Sequence, residues 1–284
     1  MAEMTVQAPA IPQYLPGIRP NRFDRLRSMI GWNGAVVIEV VILIALWEFA
    51  ISGLGIWNPR FVPPPSDIAD SLQRMIGNGS LARHLGYSGG NFIVGYFAAA
   101  AIGLSLGFAL GTIRTLRTVV GPFLWLAYAT PRVAIQPILV LWMGFGVAPK
   151  ILIIFLMAFF PIVVTVMEGV RNTDPSLLRA ADVFGIRGIR RYTKVVLPAS
   201  LPYVLTGLRL GIARALVGIV VGEFIGGTAG LGFAIRLAGQ EFHVDTALAV
   251  TLVLVILANV SMLLLLALKR RLAPWDEEVS PRVR

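Results

Sequence analysis

Long uncharged apolar stretches are the feature of this sequence that most restricts its fold. Asn91 to Ile113 and Thr246 to Leu268 each run for 23 residues without a charged side chain. A helix needs about 20 apolar residues to cross the hydrocarbon core of a bilayer. The whole chain is 56% hydrophobic and 14% charged, and its mean hydropathy is +0.77. These values exclude a water-soluble globule and predict an all-α integral membrane protein.

The apolar pattern predicts six spans. The third contains an uncharged run of only 14 residues before Arg132, too short to cross alone at about 1.5 Å per residue, so we expect one span broken near Pro131. A six-span domain over 34–271 would then lie between tails at 1–33 and 272–284. The spans are roughly Gly34 to Ile51, Asn91 to Ile113, Val119 to Met143, Ile151 to Met167, Tyr203 to Phe224 and Thr246 to Leu268.

The positions of Lys and Arg predict the orientation of the spans. The chain has 25 Lys and Arg against 15 Asp and Glu, which gives a net charge of +10. If the N-terminus is cytoplasmic, 17 of the 25 basic residues fall in cytoplasmic segments, five in external segments and three within spans. Because cytoplasmic loops are enriched in Lys and Arg, both termini are predicted to be cytoplasmic. The basic charge is then an orientation signal, and no nucleic-acid partner is expected.

The residue inventory leaves little room for catalysis. With no Cys, disulfides, thiolate chemistry and Cys metal sites are excluded, and two His do not suggest a multi-His metal site. The chain also has no G-x-x-x-x-G-K-[ST] phosphate loop. We therefore predict no catalytic residue, no metal ligand and no cofactor in this chain.

Small residues recur every four positions in the second span. Such a repeat lets another helix approach closely, which is how membrane helices commonly pack. The sequence does not decide whether this face belongs to the core of one chain or to a contact between subunits. The repeat consists of Gly95, Ala99, Gly103, Gly107 and Gly111.

The segment 169–201, between the fourth and fifth spans, has the sequence of a structured loop. Asp174 followed by Pro175 is typical of a helix N-cap and first turn, and a helical apolar pattern then ends at Gly185. A second short helix is expected over about 187–196. The segment has six basic and two acidic side chains. Its apolar stripe and positive charge fit docking onto a partner protein or lying against anionic lipid, and both remain open.

Within this loop, Ala180 and Ala181 are followed after three residues by Gly185, after nine more by Val195, and after one more by Leu197-Pro198. This spacing resembles the EAA loop of the permease subunits of binding-protein-dependent ABC importers, which also lies between the fourth and fifth of six spans. Two residues differ from the family pattern. Arg179 stands where the family has an acidic residue, and Val195 stands where it has Ile.

Further stretches resemble the nitrate, sulfonate and taurine group of these permeases, in its third-span signature and its fifth-span region. The matching segments are 130–134, 137–146, 197–203, 207–209 and 221–224. The resemblance covers about 63–271. It implies a six-helix bundle of the type I ABC importer permease kind, with cytoplasmic coupling helices, in the bacterial inner membrane.

The resemblance also implies how the loop acts. A short coupling helix around 186–191 would seat in a groove of a cytoplasmic ATPase, with the two alanines allowing close contact and Gly185 supplying the turn. ATP and Mg would be bound by that partner, because this chain lacks the phosphate loop. The implied coupling residues are Arg179, Ala180, Ala181, Asp182, Gly185, Ile186, Arg187, Arg190 and Arg191.

The implied assembly contains a second permease copy or a close relative, two ATPase subunits, an extracytoplasmic substrate-binding protein and the lipid bilayer. The cargo would be a small oxyanion such as a sulfonate, taurine or nitrate, although related permeases carry other cargo, including pyrimidine vitamin precursors. The alternative is a self-sufficient secondary transporter or channel. Such proteins often have two repeated halves with matching broken helices, and this sequence shows one break.

Four charged residues in the predicted spans are candidates for the pathway. Arg132, beside the expected break, could attract an anion or cap the carbonyls of the broken helix. Arg209 and Arg214 are predicted near the inner end of the fifth span, where snorkelling to the interface would suit them. Glu223 is predicted near the outer mouth, where it could bond a neighbouring helix or gate the pathway.

Overall fold

The protein is nearly all helical in the part that the computed structural model describes, residues 32–273, and no strand occurs within that range. The predicted tails fall outside it except for two residues of each. The helices are α1 Trp32–Glu48, α2 Pro65–Gly77, α3 Ser80–Thr112, α4 Arg114–Ala129, α5 Gln136–Met143, α6 Ala148–Arg171, α7 Pro175–Val183, α8 Ile189–Arg191, α9 Leu197–Gly226, α10 Leu231–Gln240 and α11 Val244–Leu272.

The first predicted span forms a compact unit of its own, which ends at Ile56. Its helix α1 continues through a π-helical turn, Phe49–Gly53, and the apolar stretch Val36–Gly53 is long enough to cross a membrane. Most side chains of α1 are exposed, and nearly all of them are apolar. Such a surface suits contact with lipid, where a helix satisfies its own backbone hydrogen bonds.

The second unit begins at Trp57 and contains the other predicted spans. Four helices, α3, α6, α9 and α11, are each long and apolar enough to cross. The remaining span is broken as predicted: α4 and the following segment 132–143 are bent by 82° relative to each other. Thr130 is extended because the next residue, Pro131, disfavours a helical conformation before it. With α1 and the bent pair counted, the six-span all-α prediction is confirmed.

Helix α6 lies at the centre of this unit and packs against both α3 and α9. The four-residue repeat of α3 faces α6, which places it in the core of one chain. A Cβ atom added to Gly107 would lie 2.8 Å from the Val163 carbonyl oxygen, and one added to Gly95 would lie 2.8 Å from Ile154 Cγ2. The two backbones can approach this closely because these positions carry no side chain.

Replacing Gly107 by alanine is therefore expected to destabilise the protein by about 1–3 kcal/mol, the usual cost of overpacking a well-packed core. The matched control is Gly90→Ala in the same helix, where an added Cβ atom meets nothing within 4 Å. Thermal unfolding in detergent micelles, followed by circular dichroism, compares the two variants. Equal midpoints would contradict the close packing of α3 and α6.

At one end of this unit, the structure has more helix than the predicted spans contain. Helix α3 begins at Ser80 rather than near Asn91, and α10 is a short helix that the sequence pattern did not predict. Apolar side chains of α2, the start of α3, α10 and α11 form a separate small core, which includes Met75, Leu81 and Leu231. We call this the opposite end, and the end where α6 leads into α7 the loop end.

Candidate functional site

The loop between α6 and α9 begins with a capped helix, α7. The Asp174 side chain accepts a hydrogen bond from the Ser176 backbone N–H at 2.7 Å, which confirms the predicted N-cap. That hydrogen bond lowers the pKa of Asp174, and the nearby positive charge of Arg179 acts in the same direction. Asp174 therefore stays ionised at neutral pH, the form that caps the helix N-terminus best.

Two glycines, rather than one, shape the turn that follows α7. Gly185 has φ +69° and Gly188 has φ +58°, both in the left-handed region that favours glycine. Because of Gly188, the next helical turn begins at Ile189 and not at the predicted Arg187. The segment expected to be a coupling helix is thus a double glycine turn plus one helical turn. An ion pair of 3.2 Å between Arg191 and Asp182 joins its two sides.

The tip of the loop is unusually apolar for an exposed turn. Val183 is 85% exposed, Phe184 80% and Ile189 75%. Arg187 and Arg190 are exposed beside them. A tip of this kind is typical of a surface that a partner or a membrane covers.

The remaining predicted coupling residues are divided between surface and interior. Arg179 and Ala180 are exposed on α7, whereas Ala181 is 3% exposed and packs within the chain. Ile186 is half-buried, and its backbone N–H donates to the Ala181 carbonyl at 2.8 Å. Ala181 and Ile186 therefore support the shape of the loop, and the exposed residues form its outer surface.

Arg132 lies at the bend between α4 and α5. Its guanidinium donates to the Tyr128 carbonyl at 2.5 Å and to the Ala127 carbonyl at 3.5 Å. The same group lies 5.2 Å from the Tyr128 ring centroid and 4.6 Å from that of Phe160. Arg132 thus makes the capping contacts that the sequence suggested as one alternative, and the rings favour its positive charge.

The fifth-span arginines differ in depth. Both are exposed, and Arg209 borders a cavity between α9 and α11 together with Asn259. The prediction that Arg214 lies near the inner end of the span was wrong. Helix α9 begins at Leu197 rather than near Tyr203, so Arg214 is closer to its middle.

Glu223 is 1% exposed and connects three helices at the opposite end. Its carboxylate accepts hydrogen bonds from Ser88 Oγ of α3 at 2.8 Å and from the Gly232 backbone N–H of α10 at 2.8 Å. Ser88 in turn accepts from the Leu231 N–H at 2.8 Å. Gly230, with φ +112°, has no room for a Cβ atom, which would overlap the Glu223 carboxylate. Glu223 therefore fixes the connection between α9 and α10.

Two further residues, His84 and Lys150, belong to the same cluster. His84 Nδ1 accepts from the Gly230 N–H at 3.1 Å. Lys150 is 2% exposed, donates to the Tyr87 hydroxyl at 2.9 Å and interacts electrostatically with Glu223. No local pattern marks either residue, because their burial depends on how α3, α6 and α9 pair.

Removing the Glu223 carboxylate is expected to destabilise the protein by about 1–3 kcal/mol, because it leaves buried donors at Ser88 and Gly232 without their acceptor. Glu241→Ala is the matched control, since Glu241 is exposed at the same end and, among the described residues, its carboxylate pairs only with His243, at 3.4 Å. Its expected effect is below about 0.5 kcal/mol. Thermal unfolding of Glu223→Ala and Glu241→Ala tests this, and similar midpoints would show that the cluster adds no stability.

Comparisons with known proteins agree with this architecture. The family described as binding-protein-dependent transport system inner membrane component matches residues 81–275. The taurine transport system permease protein of Escherichia coli (strain K12) is 34% identical over 245 residues, which cover 84% of this chain and 89% of that protein. A Bacillus subtilis (strain 168) protein described as an aliphatic sulfonates transport permease is 31% identical over 249 residues, with 88% and 90% covered.

A third relative has a different description. The riboflavin transport system permease protein of Chloroflexus aurantiacus is 29% identical over 273 residues, which cover 93% of this chain and 98% of that protein. Relatives that match most of this chain thus differ in their described cargoes. The family match extends over well more than half of the chain and includes both the loop and the broken span. The chain therefore belongs to the family of inner-membrane components of binding-protein-dependent transport systems, the ABC transporter permeases.

Proposed function

We propose that this permease subunit moves a small oxyanion, of the sulfonate, taurine or nitrate class, into the cell, driven by ATP hydrolysis in separate cytoplasmic subunits. The main support for this proposal is the exposed apolar tip of the loop, formed by Val183, Phe184 and Ile189. Burying one such side chain contributes about 1.5–3 kcal/mol, so a groove that covers three would bind firmly. The loop end is then the cytoplasmic end, as the distribution of Lys and Arg indicates.

The proposed assembly has two permease copies, two ATPase subunits that bind ATP and Mg, and an extracytoplasmic binding protein. A second copy is supported by α9, which exposes an apolar face that includes Arg214. A charged side chain is costly against lipid and is accommodated beside water or protein. Cargo of the sulfonate class is supported by the two relatives described as taurine and sulfonate permeases.

Reconstitution tests the proposed function. The chain is placed in lipid vesicles with its ATP-binding subunit and binding protein, and ATP-dependent uptake of ³⁵S-labelled taurine is measured. An ATPase variant that binds but does not hydrolyse ATP is the matched control. We expect uptake with the active ATPase and none with the variant that does not hydrolyse ATP. Ion-gradient-driven uptake by the lone chain, independent of ATP, would instead support a self-sufficient secondary transporter and refute the proposal.

A further inference from the structure

The depth of Arg214 follows from the packing of α9 against α6. A Cβ atom added to Gly211 would lie 2.7 Å from Ile162 Cδ1, and one added to Gly218 would lie 2.9 Å from Ile154 Cα. Arg214, between these two glycines, is therefore level with the residues near Ala158. Since α6 spans Ala148–Arg171, that level is the middle of the helix.

Arg132 reaches the same level from the broken span. Its guanidinium carbon lies 4.6 Å from the ring centroid of Phe160, which is also at the middle of α6. The charges of Arg132 and Arg214 are close enough to interact electrostatically. Two positive groups thus lie near each other at mid-membrane depth, brought there by different helices.

This pair lacks a negative partner among the residues that the structure describes. Within residues 32–273, neither arginine forms an ion pair with an acidic side chain, and Arg214 has no hydrogen-bond acceptor. Glu223 is nine residues further along α9, roughly 13 Å away at 1.5 Å per residue, and already bonds Ser88 and Gly232. Each arginine at the centre of a bilayer costs about 2.5–3.5 kcal/mol on insertion scales, and mutual repulsion adds to that cost.

The exposed face of α9 gives the surroundings of Arg214. Leu210, Val217 and Phe224 are exposed at helical spacing along the face that includes Arg214. The face is otherwise apolar, so a lone arginine in its middle would meet lipid hydrocarbon if nothing else covered it. A water-containing pathway beside a second copy of the chain avoids that cost, because charged residues in spans typically line cavities.

We propose that Arg132 and Arg214 form an anion-binding site at the middle of the membrane, which takes the sulfonate group of the cargo in transit. This proposal rests on the proposed function for its pathway and its cargo class. A planar guanidinium group can donate two parallel hydrogen bonds to two oxygen atoms of a sulfonate group. Arg132 is held in place by the α4 carbonyls and the Phe160 ring, and Arg214 contributes donors that the described part of the chain leaves without an acceptor.

Thiol modification tests the site, and the chain suits the test because it has no native cysteine. In full-length Arg214→Cys in lipid vesicles, we measure the modification rates by sulfonatoethyl methanethiosulfonate, an anion, and by its trimethylammonium analogue, a cation. The rate of each reagent is divided by its rate with a small free thiol in solution. On this scale we expect the anion to react about tenfold faster than the cation, because the positive charge of Arg132 remains nearby. Arg132→Gln in the same background should remove most of that preference.

The possible outcomes separate this inference from the proposed function. The anion site is overturned if the introduced thiol reacts with neither reagent, reacts without preference, or keeps its preference after Arg132→Gln. Val217→Cys, on the same face of α9, is the control for general access, and we expect a weaker preference there. No ATPase takes part in these measurements, so they stand whether or not ATP drives uptake in the reconstituted complex.

Discussion

Replacing both Val183 and Phe184 by aspartate is expected to lower ATPase binding by at least about a hundredfold, since two apolar side chains are lost from the proposed contact and two charges enter it. Both side chains are at least 80% exposed, so the substitutions leave the fold of the chain intact. The measurement is the affinity of the purified ATPase for the permease in lipid nanodiscs, together with ATP hydrolysis of the complex. Both should fall together.

The matched control is Ile76→Asp, which alters a 61% exposed apolar residue of α2 at the opposite end. It should leave ATPase binding unchanged. If the double variant also binds the ATPase normally, the loop tip contacts lipid rather than a partner. Gly185→Trp is a less direct test, because φ at Gly185 is +69° and a tryptophan would strain the turn itself.

Replacing Arg214 by glutamine is expected to lower ATP-driven uptake of labelled taurine by about tenfold or more, because the proposed charge-assisted contact with the anion is lost. Arg214→Lys keeps the charge without the planar fork and should retain part of the uptake. The measurement is uptake into vesicles that contain the full complex. ATPase binding should stay at the wild-type level, because residue 214 is distant from the loop.

Arg209→Gln is the matched control for this variant. Arg209 is also an exposed arginine of α9, five residues nearer the loop end. A small effect at Arg209 beside a large one at Arg214 would assign the loss to the mid-membrane site. Equal uptake by Arg214→Gln and wild type would show that the cargo passes without using this arginine.

Local chemistry explains what the sequence could predict. Spans appear as uncharged runs because lipid excludes charge, and the break in the third span follows from Pro131, which disfavours a helical Thr130. The Asp174 cap and the Gly185 turn likewise depend on a few neighbouring residues. Each of these features depends on residues that are close together in the sequence, within one helical turn or within one stretch long enough to cross the bilayer.

The small-residue repeat of α3 apart, features that depend on pairing between helices were missed. Lys150 lies outside the predicted spans, yet it is buried because α6 begins there against α3. The depth of Arg214 depends on the register of α9 along α6, which glycine contacts set and no local pattern reveals. Helix α10 is short and was not recognised, since its apolar residues fill a small core formed by distant segments.

Helix α9 connects the loop to both Arg214 and the cluster around Glu223 within a single rigid element. The loop joins α9 through the π-helical turn Tyr192–Val196, and no proline interrupts the helix after Pro202. Close packing against α6 leaves little slack, and packed interiors transmit strain. A displacement of the loop would therefore tilt α9 as a whole. Arg214 and Glu223 would then move together and not independently.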